Sequence, residues 1–245
     1  EKVEAIETQI TTITEVNEPK LVVQEKSLTF SEKRKKLAEQ KKQKKQKKQN
    51  LKAISPSETE TKSLLEYYQN RQYDDAEKLA VSITERFPKH QFAWKVLGVV
   101  LEQTGRINES LVAFQKSVQI APIDALAHNN LGIILHKLNK LEEAEVSYTY
   151  AIELKPNYSE AHCNLGTTLK ELGKLNEAEA SYTQAISLKP DYAEAHSNLG
   201  NTLKELGRLD EAEASYTQAI ALKPEDFKTH KQLLMCLFQQ DKKSV

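Results

Sequence analysis

Cysteine, glycine and proline are all scarce in this 245-residue chain, and each shortage excludes a class of structure. The two cysteines, Cys163 and Cys236, are far apart and belong to no Cys-x-x-Cys motif, so neither a disulfide framework nor a structural zinc site is expected. That usage fits a reducing compartment, and we expect a cytoplasmic location. Seven glycines and seven prolines are too few for a loop-rich all-β fold.

Long apolar runs are also absent. The longest, such as Val-Leu-Gly-Val-Val-Leu at 96–101, fall far short of the roughly 20 residues that a membrane-spanning helix needs, so we expect no membrane span. The chain begins with Glu1, its only methionine is Met235, and no signal peptide is visible in its acidic first thirty residues. We therefore expect a processed, trimmed or fragmentary piece of a protein.

A 34-residue repeat is the dominant feature of the sequence. The dipeptide Leu-Gly and a later proline each recur with this period, the glycines at Gly98, Gly132, Gly166 and Gly200 and the prolines at Pro88, Pro122, Pro156, Pro190 and Pro224. Blocks 159–192 and 193–226 are identical at 26 of 34 positions. The predicted repeats are 57–90 (the loosest copy), 91–124, 125–158, 159–192 and 193–226, and residues 227–245 add a partial repeat or capping helix.

Each repeat has the pattern of two helices. In 159–192 apolar and small residues follow helical spacing up to Gly173, where glycine tolerates the left-handed conformation that ends a helix. Asn176 with Glu179, and Asp210 with Glu213, have the spacing of a capping box that would open a second helix. We expect Gly166 and Ala178 to let the two helices approach closely, and the aromatic series that includes Tyr182 to fill the gaps between repeats.

These residues resemble the tetratricopeptide repeat over about 170 residues. The resemblance is carried by Trp94, Leu97, Gly98, Phe114 and Pro122 in one repeat and by Leu165, Gly166, Ala178, Tyr182, Ala185 and Pro190 in another. Residues 193–201 and 222–224 are most similar to the repeats of O-linked N-acetylglucosamine transferases, and the opening near Pro56 is similar to bacterial repeat proteins that often continue into a transferase or an oxygenase. The resemblance implies an all-α fold, a right-handed α-α superhelix. Asn139 and Leu64 depart from it at positions where glycine is usual.

In this architecture the first helices of successive repeats line a concave face. Asn130, Asn164 and Asn198 share one register there, and an amide that both donates and accepts can hydrogen-bond the main chain of an extended peptide. The transferase family that the repeats resemble uses an asparagine ladder in this way. The alternative is that these side chains only bond to local backbone or to neighbouring helices.

Residues beside the asparagines change in character along the chain. They are apolar at the N-terminal end and polar or charged towards the C-terminal end, and the predicted peptide contacts are Phe92, Val99, Ile133, Thr167, Lys170, Asn201 and Lys204. This order suggests a ligand with a hydrophobic anchor and a polar tail. Alternatively, the N-terminal segment with Val3, Ile6, Ile10 and Ile13 covers the apolar end.

Four histidines also repeat every 34 residues, at His128, His162, His196 and His230. Adjacent first helices stack about 10 Å apart, too far for neighbouring histidines to share a metal ion, so packing is the better interpretation. No catalytic motif is found, and we expect no catalytic residue, no metal and no cofactor.

Residues 1–56 are predicted to form a Lys/Gln-rich low-complexity tail or linker, disordered or loosely helical. Residues 31–50 contain ten basic and two acidic side chains and cannot bury enough surface to fold alone. The segment is a solvated spacer, a transient helix, or a weak, non-specific contact for nucleic acid or an acidic partner.

Two functions remain open at this stage. One is a non-catalytic scaffold that binds peptide segments of other proteins in its groove. The other is the substrate-presenting module of a larger, truncated enzyme, such as a glycosyltransferase, a sulfotransferase or an oxygenase, since the C-terminal helix lacks the polar cap that a solenoid normally has.

Overall fold

A computed structural model describes residues 55–243, together with residues 35 and 39–41. Residues 55–243 form eleven helices and no strand. The helices are α1 (Glu58–Gln69), α2 (Tyr73–Arg86), α3 (Gln91–Gln103), α4 (Ile107–Ile120), α5 (Ala125–Lys137), α6 (Leu141–Leu154), α7 (Ser159–Glu171), α8 (Leu175–Leu188), α9 (Ala193–Glu205), α10 (Leu209–Leu222) and α11 (Phe227–Lys243). The predicted all-α class is confirmed.

The helices pack as a stack of pairs. First helices contact the second helix of their own pair and also neighbouring first helices, as α7 does with α8, α5 and α9. The first helices α3, α5, α7 and α9 therefore form one continuous surface. This solenoid of helix pairs is the α-α superhelix that the 34-residue period predicts.

Close approach within each pair depends on glycine. A Cβ atom added to Gly166 would lie 2.8 Å from the Tyr182 ring, and one added to Gly98 would lie 2.8 Å from the Phe114 ring. The aromatic ring of the second helix thus fills space beside the glycine of its own pair, rather than only the gaps between repeats as the sequence suggested. The first pair reverses the sizes, since buried Leu64 stands at the glycine register and buried Ala80 at the aromatic register.

Turns between paired helices have one left-handed residue each. Gly105, Gly173 and Gly207 have φ values of 76–80°, and the predicted stop at Gly173 is confirmed. Asn139 and Arg71 stand at the same register with φ of 58° and 57°. Asparagine tolerates this region better than arginine does, so the greater backbone strain lies at Arg71.

The prediction that Asn176 and Asp210 cap their helices is wrong. α8 and α10 begin one residue before them, so both residues lie inside the first turn and neither helix has a side-chain capping bond. A capping box does form at Ser57, whose hydroxyl accepts from the Glu60 N–H at 3.2 Å while the Glu60 carboxylate accepts from the Ser57 N–H at 2.8 Å.

Ion pairs connect the second helices of successive pairs. Three of them link residues 29 positions apart, joining Arg106 with Glu77, Lys174 with Glu145 at 2.7 Å and Arg208 with Glu179 at 2.6 Å. Between the second and third pairs Leu111 occupies the acidic position and packs against the cluster that contains Tyr148. Lys140, the basic residue at that junction, instead pairs with Glu143 of its own helix at 3.0 Å.

Residues 1–51 and 52–245 separate into two units. In the first unit the described residues 35 and 39–41 are helical and exposed. The rest of the predicted tail up to residue 54, including the apolar positions from Val3 to Ile13 and most of the Lys-rich run, lies outside the described residues. Within the part of the chain that is described, no helix combines the length and the hydrophobicity required to cross a membrane.

Candidate functional site

A cavity of about 380 Å³ opens between α3 and α5 on the face formed by the first helices. Positions 92, 96 and 99 of α3, and 126, 130 and 133 of α5, are spaced so that each trio lies on one side of its helix. The lining residues are Tyr68, Phe92, Lys95, Val96, Val99, Glu102, Leu126, Asn130 and Ile133. The structure therefore brings four of the predicted site residues together, Phe92, Val99, Asn130 and Ile133.

Charged side chains at the rim of the cavity are already paired. Lys95 lies 2.9 Å from the Asp124 carboxylate, which also accepts from Gln91 at 2.5 Å and caps the N-terminus of α5. Burial alone would raise the pKa of Asp124, but hydrogen bonds from Lys95 and Gln91 outweigh burial and hold that pKa below its usual value. At the other end Lys137 pairs with Glu102 at 2.6 Å. The unpaired part of the lining is thus mainly apolar.

Asn164 and Asn198 lie further along the surface, each held by the preceding pair. Asn164 donates to the Oδ1 atom of Asn129 at 3.1 Å, and Asn129 is only 4% exposed. Asn198 faces the thiol of Cys163, one repeat after Asn129 in register, and its amide lowers the pKa of that thiol against the larger effect of burial. Among the described residues Asn130 has no such bond, because Lys95 stands at that register and is committed to Asp124.

Burial keeps the Cys163 thiol protonated. Burial is the main cause, the charge of Glu194 adds to it, and together they raise the pKa of Cys163 to about 12. The thiol is therefore a neutral hydrogen-bonding group and a poor nucleophile at physiological pH. Both cysteines, Cys163 and Cys236, are buried and unbonded to each other.

The remaining predicted contacts have structural partners of their own. Thr167 accepts from the Tyr182 hydroxyl at 3.1 Å, and Asn201 accepts from the Tyr216 hydroxyl at 2.9 Å. Lys170 pairs with Glu205 of the next pair at 3.2 Å, and Lys204 donates to Gln232 at 2.8 Å. All four are partly buried along the same surface, outside the 380 Å³ cavity.

Histidines at the 34-residue register have a structural role that the sequence did not reveal in detail. The Nε2 atoms of His128, His162 and His196 lie 2.9–3.0 Å from the carbonyl oxygen of the proline six residues earlier, and the Trp94 indole donates to Pro88 in the same way. A carbonyl can only accept, so Nε2 carries the proton. Within 55–243 and the few described residues before it, no group of His, Cys, Asp or Glu side chains is arranged to hold a metal ion.

Family models match a continuous stretch of the chain. Models described as "Tetratricopeptide repeat" match residues 62–124, 125–158, 147–180 and 193–226, and one described as "TPR repeat" matches 166–207. Together they span 62–226, two thirds of the chain. No curated protein sequence matches it significantly.

Solved structures of repeat proteins share the fold. YrrB, described as a TPR protein with an unusual peptide-binding site, matches with a TM-score of 0.63 at 20% identity, covering 81% of this chain and 97% of its own. TTC0263, a thermophilic TPR protein of Thermus thermophilus, matches with a TM-score of 0.57 at 25% identity, covering 74% and 98%. MamA matches with a TM-score of 0.61 at 22% identity, covering 66% and 95%.

Proposed function

The chain belongs to the tetratricopeptide repeat family, and from that premise we propose that its concave face binds an extended peptide segment of another protein. The observation that carries the proposal is the cavity between α3 and α5, where apolar side chains surround Asn130, an amide with no hydrogen-bond partner among the described residues. A site of a few hundred Å³ with an apolar lining and a few polar groups is typical of ligand recognition.

An apolar side chain of the peptide is the anchor. It enters between Phe92, Val99 and Ile133, which are all partly exposed in the free protein and can bury more surface on binding. Exposed Leu126, at 47%, extends the apolar rim. Fully burying one such aliphatic or aromatic side chain contributes about 1.5–3 kcal/mol.

The peptide main chain runs from this anchor along the asparagine row. Neighbouring helices are spaced about 8–10 Å apart and an extended peptide rises about 3.3 Å per residue, so one asparagine meets about every third residue. Asn164 gives one N–H to Asn129, which leaves its other N–H and its carbonyl oxygen for a ligand. Its bond to Asn129 fixes the orientation of the amide without using its full capacity.

Comparisons with known structures support this proposal only through the fold. YrrB has a described peptide-binding site, but at 20% identity the likeness carries the architecture alone. The competing role, a module that presents substrates to a larger enzyme, gains no support, because every family model that matches residues 62–226 is a repeat model.

The anchor can be tested by substitutions that copy, at equivalent positions, a residue that another repeat of this chain already has. Val99, Ile133 and Thr167 are equivalent positions, so the double variant Val99→Thr with Ile133→Thr copies a residue that the next repeat already has there. A peptide selected from an array against the parent should bind this variant about tenfold to a hundredfold more weakly. Val112→Thr makes the same change at a 54% exposed site on α4 and should bind as the parent does.

The triple variant Asn130→Ala, Asn164→Ala, Asn198→Ala tests the row of amides. Losing three hydrogen bonds of about 0.5–1.5 kcal/mol each should weaken binding by one to three orders of magnitude. Calorimetry supplies the affinities and a melting curve checks the folding of each variant. If the double threonine variant and the triple alanine variant both fold and bind with unchanged affinity, the ligand binds elsewhere. If the triple variant unfolds, the asparagines have a structural role.

A further inference from the structure

The last helix of the described chain, α11, has an exposed apolar stripe. Phe227 is 83% exposed, Leu234 56%, Met235 47% and Phe238 67%, while Cys236 on the opposite side is fully buried. At 100° per residue Phe227, Lys231, Leu234, Phe238 and Asp241 all fall on one side of the helix. A concentration of large exposed apolar side chains on one helix face indicates an interaction surface.

The size of the Leu234 side chain restricts which helix can cover this stripe. Leu234 stands where the second to fifth pairs have glycine, and even a methyl group at Gly200 would lie 2.7 Å from the Tyr216 ring. A helix with an aromatic residue at the usual register therefore cannot dock on α11 as α10 docks on α9. The occupant must instead interdigitate with a leucine and a phenylalanine.

The first helix pair does not offer such a surface. A hollow between α1 and α2 is lined mostly by polar and charged side chains, including Thr59, Glu60, Ser63, Asp75 and Lys78. Docking the apolar face of α11 there, head to tail, would desolvate these groups without new partners. A self-complementary contact between two identical apolar faces has no such cost.

We propose that α11 is a homodimerisation surface, on which the α11 helices of two copies pack antiparallel about a two-fold axis near the level of residue 236. In that register Leu234 of one copy lies opposite Phe238 of the other, and Lys231 lies opposite Asp241. Lys231 and Asp241 are both exposed and enter no ion pair within the described part of the chain. The two-fold axis repeats each contact, so two apolar pairs are flanked by two ion pairs.

Charge reversal tests this register directly. Lys231→Glu places two carboxylates opposite each other at both ends of the interface, and Asp241→Lys places two ammonium groups there. Each variant alone should dissociate at least about tenfold more readily than the parent. Mixed together they should form a heterodimer, because Glu now faces Lys at one end and Asp faces Lys at the other.

The measurement is light scattering on the full 245-residue chain across a range of micromolar concentrations. The parent should reach twice the 27.8 kDa mass of one chain. Lys116→Glu, which makes the same charge change at an exposed site on α4, should dimerise as the parent does. Phe238→Ser should lower dimerisation without changing charge, and melting curves should show that all variants remain folded.

Three results would overturn the proposal. One is a parent that stays at the mass of a single chain throughout, which would leave the stripe to a further segment or to a different protein. Another is a dimer whose affinity is unchanged by Lys231→Glu, Asp241→Lys and Phe238→Ser, which would locate the interface elsewhere. The third is a mixture of the two charge variants that remains monomeric, which would refute the antiparallel register.

Discussion

The contact between a glycine and an aromatic ring within each helix pair predicts a strong energetic coupling. The Tyr182 ring is fully buried and would lie only 2.8 Å from a Cβ atom at Gly166. In the first pair the same two registers hold Leu64 and Ala80, both fully buried. We therefore expect Gly166→Leu and Tyr182→Ala, each damaging alone, to compensate each other when combined.

Both single changes have a calculable cost. Tyr182→Ala removes a buried aromatic ring and should cost about 3–5 kcal/mol of unfolding free energy. Gly166→Leu forces a side chain into the ring and should cost about 1–3 kcal/mol, partly offset by about 1 kcal/mol of better helix propensity. In the double variant leucine refills the space of the ring, so a coupling of about 2–3 kcal/mol should make the pair less destabilised than Tyr182→Ala alone.

Urea unfolding followed by helical circular dichroism gives the four free energies of this double-mutant cycle. The matched control combines Gly166→Leu with Tyr216→Ala, because the Tyr216 ring lies against Gly200 of the next pair instead. That control should be nearly additive. If the Gly166→Leu, Tyr182→Ala pair is also additive to within about 0.5 kcal/mol, then the close approach of glycine and ring does not determine the packing of the pair.

Two further perturbations act on a turn and on a cap. Arg71→Gly should raise the melting temperature, because glycine adopts the left-handed conformation without strain. The relief of about 1–2 kcal/mol is reduced by about 0.4–1 kcal/mol, since glycine gives the unfolded chain more conformational entropy. Asn139→Gly should raise the melting temperature less, and equal or reversed shifts would contradict the strain argument. The Ser57 N–H, and then Arg86, hold the pKa of Glu60 at about 2, below its ordinary 4.5, so the ionised carboxylate contributes stability above pH 4.5 that is lost as the pH falls towards 2. The stability difference between the parent and Glu60→Gln, measured by urea unfolding at a series of pH values, should therefore shrink across that window, and a constant difference would show that the capping charge is not responsible.

Periodicity alone was sufficient to predict the helix pairs. Glycine at 173 and the recurring prolines mark helix ends because they affect backbone geometry locally, and the structure has a left-handed residue at that glycine. The Leu-Gly register also correctly indicated a close approach of helices. Helix ends and close helix contacts, which individual glycines and prolines determine, were therefore predictable.

Side-chain pairings across repeats were not predictable in the same way. The capping pattern at Asn176 failed because α8 already begins at Leu175, and Glu179 of that pattern pairs with Arg208 of the next pair. The sequence left open whether the asparagines bond to neighbouring helices, but it could not identify Asn129 as the partner of Asn164, because two adjacent registers offer amides and the choice depends on helix rotation. The apolar set around Phe92 was predicted as a group, whereas the pairing of Lys95 with Asp124 beside it was not.

Leu111 has a consequence for how the solenoid responds to ionic strength. The other junctions between second helices each include an ion pair that is partly exposed to solvent, and salt weakens such pairs. The junction at Leu111 is held by apolar packing, which salt does not screen, and it joins the same two helix pairs that enclose the cavity between α3 and α5. As the salt concentration rises, contacts between helix pairs therefore weaken on either side of this junction. The spacing of α4 and α6, the second helices of the two pairs that enclose the cavity, is maintained.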